Sequence, residues 1–149
     1  MIEVPSAFLA VSYKGDCYPG APGVAGIAQG ANCQQFAYEL LRYFGNRIPD
    51  FRSSDLWEDV DFTLEVSNLE PLDLLLYNST PRSWGAHVAV YLGEGQIIHL
   101  SKEFVRPVIW THAQFLSTTS YRYFIGAKRI RNRSEVGTEA DAAPDPAGM

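Results

Sequence analysis

Three residues of this sequence carry the side chains that nucleophilic attack on a carbonyl requires: Cys33, His87 and His99. A thiol reacts as its thiolate, and a helix N-terminus or a neighbouring imidazole favours that form. One imidazole can take the thiol proton while a second fixes the tautomer of the first. The sequence therefore predicts Cys33 as a nucleophile with a lowered pKa, His87 as its base, and His99 as the group that orients the base.

An amphipathic helix is predicted to present Cys33. Asn32 is a good N-cap, the segment CQQFAYELLRYF follows, and Gly45 ends it. Cys33 then lies in the first turn, where the polar neighbours Gln34 and Gln35 are expected to keep that end near water. The apolar residues at helical spacing predict a buried stripe: Phe36, Leu40, Tyr43 and Phe44.

A β-hairpin is predicted to bring the two histidines together. The alternating segment 87–92 leads into the turn Gly93-Glu94-Gly95, and residues 96–100 run back. With a short turn centred on residue 93 or 94, His87 lies opposite His99 or one step diagonal to it. Both registers place the two imidazoles on the same face of the sheet.

The other elements indicate an α+β domain, with helices first and mostly sequential antiparallel strands after them. A short helix over 54–60 is predicted with Ser53 or Ser54 as its cap, and a hydrophilic linker follows it. Residues 112–116 are predicted as a helix capped by Thr111. The predicted strands are 73–77, an edge strand over 104–110 that Pro107 interrupts, and 121–130.

One domain over residues 1–133 is predicted, comprising an N-terminal strand and a Gly/Pro-rich loop in residues 1–30 and the catalytic elements after them. Residues 134–149 are acidic and poor in large apolar groups, which predicts a disordered tail. Four carboxylates of the tail account for most of the net charge of −5. The nearly neutral remainder gives no basic face for nucleic acid. The one basic cluster is expected to be a solvated strand end: Lys128, Arg129, Arg131 and Arg133.

No apolar run is long enough to span a membrane. The first residues also lack the features of a signal peptide. We therefore expect a protein of the cytoplasm, one exported by another route, or one whose leader has been trimmed.

Two alternative uses of the cysteines compete with catalysis. A disulfide between Cys17 and Cys33 would consume the predicted nucleophile. A metal site would draw on Cys33, His87, His99 and His112, but no closely spaced ligand pair occurs, and we predict neither a metal nor another cofactor.

Three segments resemble the signature blocks of the NlpC-type cell-wall cysteine peptidases: GANCQQFAYELL, LEPLDLLLYN and AHVAVYLGEGQIIHLS. In that family a helix opens with Asp-Cys-Ser-Gly, a Leu-x-Pro-Gly-Asp-Leu block precedes a strand, and His-Val-Gly-Ile-Tyr-Leu-Gly leads to Ile-Ile-His-Ala-Ser. The resemblance covers about residues 30 to 130 and matches the order Cys33, His87, His99. It implies a papain-like fold in which the nucleophile helix packs on a mostly antiparallel sheet.

The resemblance also implies an activity. Such an enzyme cleaves an amide bond of peptidoglycan stem peptides, typically the γ-D-glutamyl to diamino-acid bond, through an acyl-enzyme. A peptide or muropeptide is then the expected partner, and the sequence leaves the oligomeric state open. Four residues are predicted to contact substrate: Asn32, Gln34, Tyr18 and Trp84. Tyr18, with Tyr13 in reserve, would supply the aromatic side chain that the family places upstream of its cysteine.

Departures from the family pattern keep other functions open. Asn32-Cys33-Gln34-Gln35 replaces Asp-Cys-Ser-Gly, and Pro71-Leu72-Asp73 replaces Pro-Gly-Asp. Residues beside the nucleophile shape the substrate pocket, so amidase, deamidase or acyltransferase chemistry on the same scaffold is one alternative. A binding module that has lost turnover is another.

Overall fold

A computed structural model describes residues 1–131, and the predicted tail, 134–149, lies outside the described residues. The helices are α1 (Ser6–Leu9), α2 (Cys33–Tyr43), α3 (Ser53–Glu58) and α4 (His112–Leu116), with a 3₁₀ turn at Thr119–Tyr121. The strands are β1 (Thr63–Val66), β2 (Leu74–Asn78), β3 (His87–Gly93), β4 (Gln96–Leu100), β5 (Pro107–Trp110) and β6 (Tyr123–Ile130). Within residues 1–131, no helix has the length and apolar character that crossing a bilayer requires.

All six strands form one antiparallel sheet in the order β1-β6-β2-β3-β4-β5. The predicted α+β class and antiparallel sheet are therefore confirmed. β5 is an edge strand, as Pro107 predicts, and the strand begins at that proline.

The predicted hairpin is also confirmed. Val90 pairs with Ile98 and Tyr91 with Ile97, and a bulge before Gly93 closes the turn. Glu94 and Gly95 both have positive φ, as a two-residue turn between right-twisted strands requires. In this register His87 and His99 are diagonal neighbours on one face of the sheet.

Helix α2 covers the opposite face of the sheet. Its buried residues pack against the even-numbered residues of β2, β3 and β4, and the shared core includes Phe36, Leu40, Leu41, Leu76, Val88, Val90, Ile98 and Leu100. The predicted stripe is right for Phe36 and Leu40, whereas Tyr43 is exposed. Tyr43 lies in the last turn, where its ring makes edge contacts with Phe8 and Phe44 at the rim of the core.

The odd-numbered face carries the histidines and a smaller, aromatic cluster. Leu75, Tyr77, Ala89 and Ile97 pack there with Phe115 of α4 and with Tyr121. The sheet thus separates an aliphatic core from an aromatic one.

Four local predictions are wrong. Residues 6–9 form α1 where an N-terminal strand was predicted, because Pro5 provides an extended entry to a helical turn. The cap of α3 is Arg52, and both Ser53 and Ser54 lie within the helix. The hydrophilic linker contains β1, whose mostly exposed side chains hide its pairing with β6. Tyr121 belongs to the 3₁₀ turn, so β6 begins at Tyr123.

The basic cluster is more than a solvated strand end. The Lys128 side chain is only 2% exposed, and its Nζ donates to the backbone oxygens of Trp57 and Asp59. Arg129 donates from Nε and one Nη to the two carboxylate oxygens of the buried Asp73, at 2.8 and 2.9 Å. These residues fasten β6 to the loops beside it, and Arg133 lies outside the described residues.

Candidate functional site

Cys33 is the first residue of α2. The Asn32 side chain accepts a hydrogen bond from the Gln35 N–H at 2.8 Å, which confirms the predicted cap. The Asn32 side chain is thus engaged in capping α2. Gln35 was expected to face water, but it is only 6% exposed and its Nε2 donates to the Gly26 oxygen at 2.9 Å. Gln35 therefore ties the Gly/Pro-rich loop to the turn that carries Cys33.

The thiol is enclosed more than the sequence suggested. Burial raises the pKa of Cys33, and the N–H groups of Val88, Gln34 and Cys33 itself oppose this rise without overcoming it. The expectation of a lowered pKa is therefore wrong in direction, because desolvation exceeds the effect of the helix N-terminus. The contribution of the Val88 N–H also places the thiol beside the start of β3.

The two histidines form a hydrogen-bonded pair. His87 Nε2 lies 2.8 Å from His99 Nδ1, with the rings nearly perpendicular at 84°. His87 opens β3 beyond the segment paired with β4, and His99 lies in the middle of β4. This pairing uses the Nε2 side of His87 and does not involve its Nδ1.

Aromatic rings surround this pair. Tyr121 stacks on His87 with centroids 4.6 Å apart, while Trp110 and Phe115 each lie 4.5 Å from His99. Burial lowers the pKa of His87 to about 3, and burial with the neighbouring His87 lowers that of His99 to about 2. Both imidazoles are therefore neutral at pH 7.

Tyr13, the reserve candidate, is the upstream aromatic residue that lies near the nucleophile. It bridges to Ala31 just before α2, and its pKa is raised by burial and then by the proximity of Cys33 and Tyr121. Tyr18 instead places its ring under the Arg52 guanidinium, 5.1 Å from its carbon. Of the two candidates, Tyr13 is thus the one with an electrostatic contact to Cys33, and Tyr18 as a substrate contact stays a prediction.

A cleft of about 320 Å³ borders the start of α2. Two residues predicted to contact substrate, Gln34 and Trp84, line it together with Arg52, Ser53, Ser54, Asp55 and Gly85. Trp84 is 79% exposed, which is unusual for the largest apolar side chain. Through Arg52 the cleft also reaches Tyr18, so three predicted contact residues belong to one region.

The two cysteines do not pair with each other. Both cysteines are free, and Cys17 is buried. In the part of the chain described, no group of three His, Cys, Asp or Glu side chains is arranged to hold a metal ion.

Sequence reasoning missed Tyr121, Trp110, Phe115 and Arg52. Trp110 could have been found by extending the hairpin register one strand further, since it pairs with Ile97 on the histidine face. Phe115 and Tyr121 arrive from α4 and the 3₁₀ turn, and no local pattern shows which face they cover. Arg52 was missed because the start of α3 was predicted at Ser53 or Ser54.

Comparison with known families places these observations in context. The model of the NlpC/P60 family matches residues 21–127, which is most of the chain. None of the curated proteins matches.

Solved structures share the fold. An NlpC/P60 family protein from Bacillus cereus is 25% identical over 68% of this chain, with a TM-score of 0.52. The chain spans about a third of that protein, 32% of its length. The NlpC/P60 domain of the peptidoglycan hydrolase SagA is 21% identical over 74% of this chain and 85% of its own, with a TM-score of 0.52. The peptidoglycan hydrolase RipB from Mycobacterium tuberculosis is 22% identical, with 84% and 60% covered and a TM-score of 0.54.

Proposed function

Because the chain belongs to the NlpC/P60 family, whose members are cysteine peptidases and hydrolases, we propose that it cleaves an amide bond through Cys33, His87 and His99. The substrate that we propose is a peptidoglycan stem peptide, cut at the γ-D-glutamyl to diamino-acid bond. The observation that carries the proposal is the 2.8 Å bond between His87 Nε2 and His99 Nδ1 beside the start of α2. This bond supports a base and an orienting group in these two histidines, and the Val88 N–H at the Cys33 thiol supports Cys33 as their nucleophile.

The reaction would proceed in two halves. Cys33 Sγ attacks the amide carbonyl as His87 Nδ1 takes the thiol proton, and the oxyanion forms near the Cys33 backbone N–H. His87 then gives that proton to the leaving amine, and the C–N bond breaks to leave a thioester. Water resolves the thioester with His87 again as base, which restores the thiol and releases the acid.

The raised pKa of Cys33 and the lowered pKa of His87 define the resting state. Thiol and imidazole are both neutral before substrate binds, so the ion pair develops only as the sulfur attacks. The imidazolium is then formed next to the new oxyanion, which stabilises it. A neutral resting pair also limits the reaction of the thiol with other electrophiles.

The cleft beside α2 supports a polar peptide substrate. Arg52 offers a guanidinium, which suits the carboxylates that muropeptides carry, and no salt bridge within residues 1–131 occupies it. Trp84 offers an exposed ring against which a substrate can pack. The names of SagA and RipB as peptidoglycan hydrolases point to the same substrate class.

A second candidate, amidase, deamidase or acyltransferase action on another substrate, is favoured by the residues after the nucleophile. Gln34 lines the cleft and Gln35 holds the loop at Gly26. Both are larger than the Ser-Gly pair of the family pattern, so the pocket beside Cys33 has a different shape.

Incubation with defined muropeptides and with a panel of other amides, followed by mass spectrometry of the products, separates these candidates. Cleavage between γ-D-glutamate and the diamino acid, absent with Cys33→Ala, is the expected result. Products from other amides alone would favour the second candidate. Cleavage by Cys33→Ala at the wild-type rate would refute the cysteine mechanism.

A further inference from the structure

One nitrogen of the histidine pair is unusual. His99 Nε2 is buried and has no hydrogen-bond partner within residues 1–131, although buried polar atoms almost always have one. Its surroundings are aromatic: the ring centroids of Trp110 and Phe115 lie 4.5 Å from that of His99, and Tyr121 approaches edge-on at 5.9 Å. We call Trp110 and Phe115 the aromatic cage.

The bond between the histidines can form with its proton on either ring. If His87 Nε2–H donates, neutral His87 has a bare Nδ1, and neutral His99 carries its proton on Nε2. If His99 Nδ1–H donates instead, His87 carries its proton on Nδ1, and His99 Nε2 is bare. Only the first arrangement leaves His87 a lone pair with which to accept the thiol proton.

The aromatic cage distinguishes the two arrangements. An N–H among aromatic rings is weakly attracted to their negative faces, whereas a bare nitrogen lone pair is repelled by them. The surroundings of His99 Nε2 therefore favour a proton on that atom, and so the first arrangement.

We propose that Trp110 and Phe115 are positioning residues that keep the shared proton on His87 Nε2, so that His87 Nδ1 stays free to accept the proton of Cys33. The proposal rests on the proposed roles of Cys33 and His87. It gives the edge strand β5 and the short helix α4, which supply the two rings, a part in the proton transfer.

The cage has a second consequence for the charged state. When His87 takes the thiol proton it becomes an imidazolium, and its Nε2–H still donates to His99. Burial and the neighbouring His87 lower the pKa of His99. With its own proton on Nε2, His99 can only accept from the His87 Nε2–H, so the proton that the leaving group needs remains on His87.

A double-mutant cycle tests whether the cage acts through His99. Phe115→Leu and Trp110→Leu remove a ring, and Trp110→Phe is the conservative control. Each is made in the wild type and in His99→Asn, whose amide has no tautomers. We expect each Leu variant to lower kcat/KM about tenfold in the wild type, mainly through kcat, and less than twofold in His99→Asn. Trp110→Phe, which keeps an aromatic ring, should retain most of the activity that Trp110→Leu loses. Equal losses in both backgrounds would reduce the cage to a packing role and overturn the proposal.

Nitrogen-15 NMR of the imidazoles provides a readout that needs no substrate. The chain has three histidines, and His112→Gln leaves only the signals of the pair. We expect both remaining rings to carry their proton on Nε2, with the His99 Nε2–H shifted upfield by the ring currents and slow to exchange. Phe115→Leu should move that signal downfield and speed its exchange. Protons on Nδ1 in the wild type would overturn the proposal even if the enzyme is active, and the expected spectrum would support it even if no tested peptide is cleaved.

Discussion

Buried polar side chains at the two ends of strand β2 are treated in opposite ways. Before its first residue lies Asp73, whose carboxylate accepts bonds from Arg129 and from the Glu70 N–H. Beside its far end lies His87, which pairs with Tyr77 in the sheet and bonds to His99, whose Nε2 has no partner among residues 1–131. The carboxylate at the first end is paired with a guanidinium. The two histidines at the second end are neutral, and one of their nitrogens lacks a hydrogen bond within the described residues. We infer that the first end supports stability and that the second supports proton transfer.

The largest effect is expected from removal of the proposed base. His87→Ala should lower the rate of acylation by about three orders of magnitude, since it removes the proposed acceptor of the thiol proton. The melting temperature should change little. Single-turnover mass spectrometry and calorimetry measure the two quantities, and His112→Gln serves as the control for an exposed histidine. Near-normal acylation by His87→Ala would contradict a proton-transfer role for this end of β2.

Next in size is the loss of the carboxylate at the other end of β2. Asp73→Asn should lower the free energy of unfolding by about 2–4 kcal/mol, because it leaves a half-buried guanidinium without its main partner. Folded Asp73→Asn should keep its kcat. Urea denaturation and steady-state kinetics at a temperature where the variant is folded measure both. Glu70→Gln, which removes the more exposed partner of Arg129, should cost much less. A large fall in kcat for folded Asp73→Asn would contradict a purely structural role.

A smaller loss of activity is expected at the orienting histidine. His99→Ala should lower kcat/KM about a hundredfold and leave measurable turnover, because His87 keeps its position less well but still transfers the proton. His99→Asn or His99→Gln should recover part of the loss by accepting the His87 Nε2–H. Comparison of the three variants under identical conditions is the test. Wild-type activity in His99→Ala would show that the pair does not work as a unit.

The last predicted effect is on the pH dependence of stability. The folded pKa values of about 3 for His87 and about 2 for His99 lie below the ordinary value near 6.5 of the unfolded chain. Below that value the unfolded state binds more protons, so the free energy of unfolding falls as the pH drops from about 6.5 toward about 3. Melting curves between about pH 7 and about pH 4 should show this fall, and His99→Asn should flatten it. An equally steep fall in that variant would assign the effect to other groups.

Much of the site could be predicted from the sequence because its geometry is local. The Asn32 cap and the periodicity of α2 put Cys33 at a helix start, and the Gly93-Glu94-Gly95 turn fixes the register that joins His87 to His99. Turn chemistry and side-chain alternation are properties of neighbouring residues, so one sequence suffices to see them.

What could not be predicted depends on distant packing. The raised pKa of Cys33 reflects burial, which the residues adjacent in sequence do not indicate. Likewise, the polar side chain of Gln35 does not indicate that its amide is buried and donates to the Gly26 oxygen. Tyr13 and Tyr18 are equally plausible by spacing, and only the fold brings Tyr13 to the thiol. Strand β1 is recognisable only through its partner β6.

The most direct test of the account is to locate the covalent intermediate. Wild-type protein is mixed with a muropeptide, quenched with acid within the first turnover, and mapped by peptide mass spectrometry. We predict an acyl group on the peptide that contains Cys33, none on the peptide that contains Cys17, and none in Cys33→Ala. Product release with no acyl group on Cys33 at any time, or an acyl group on Cys17, would contradict the account.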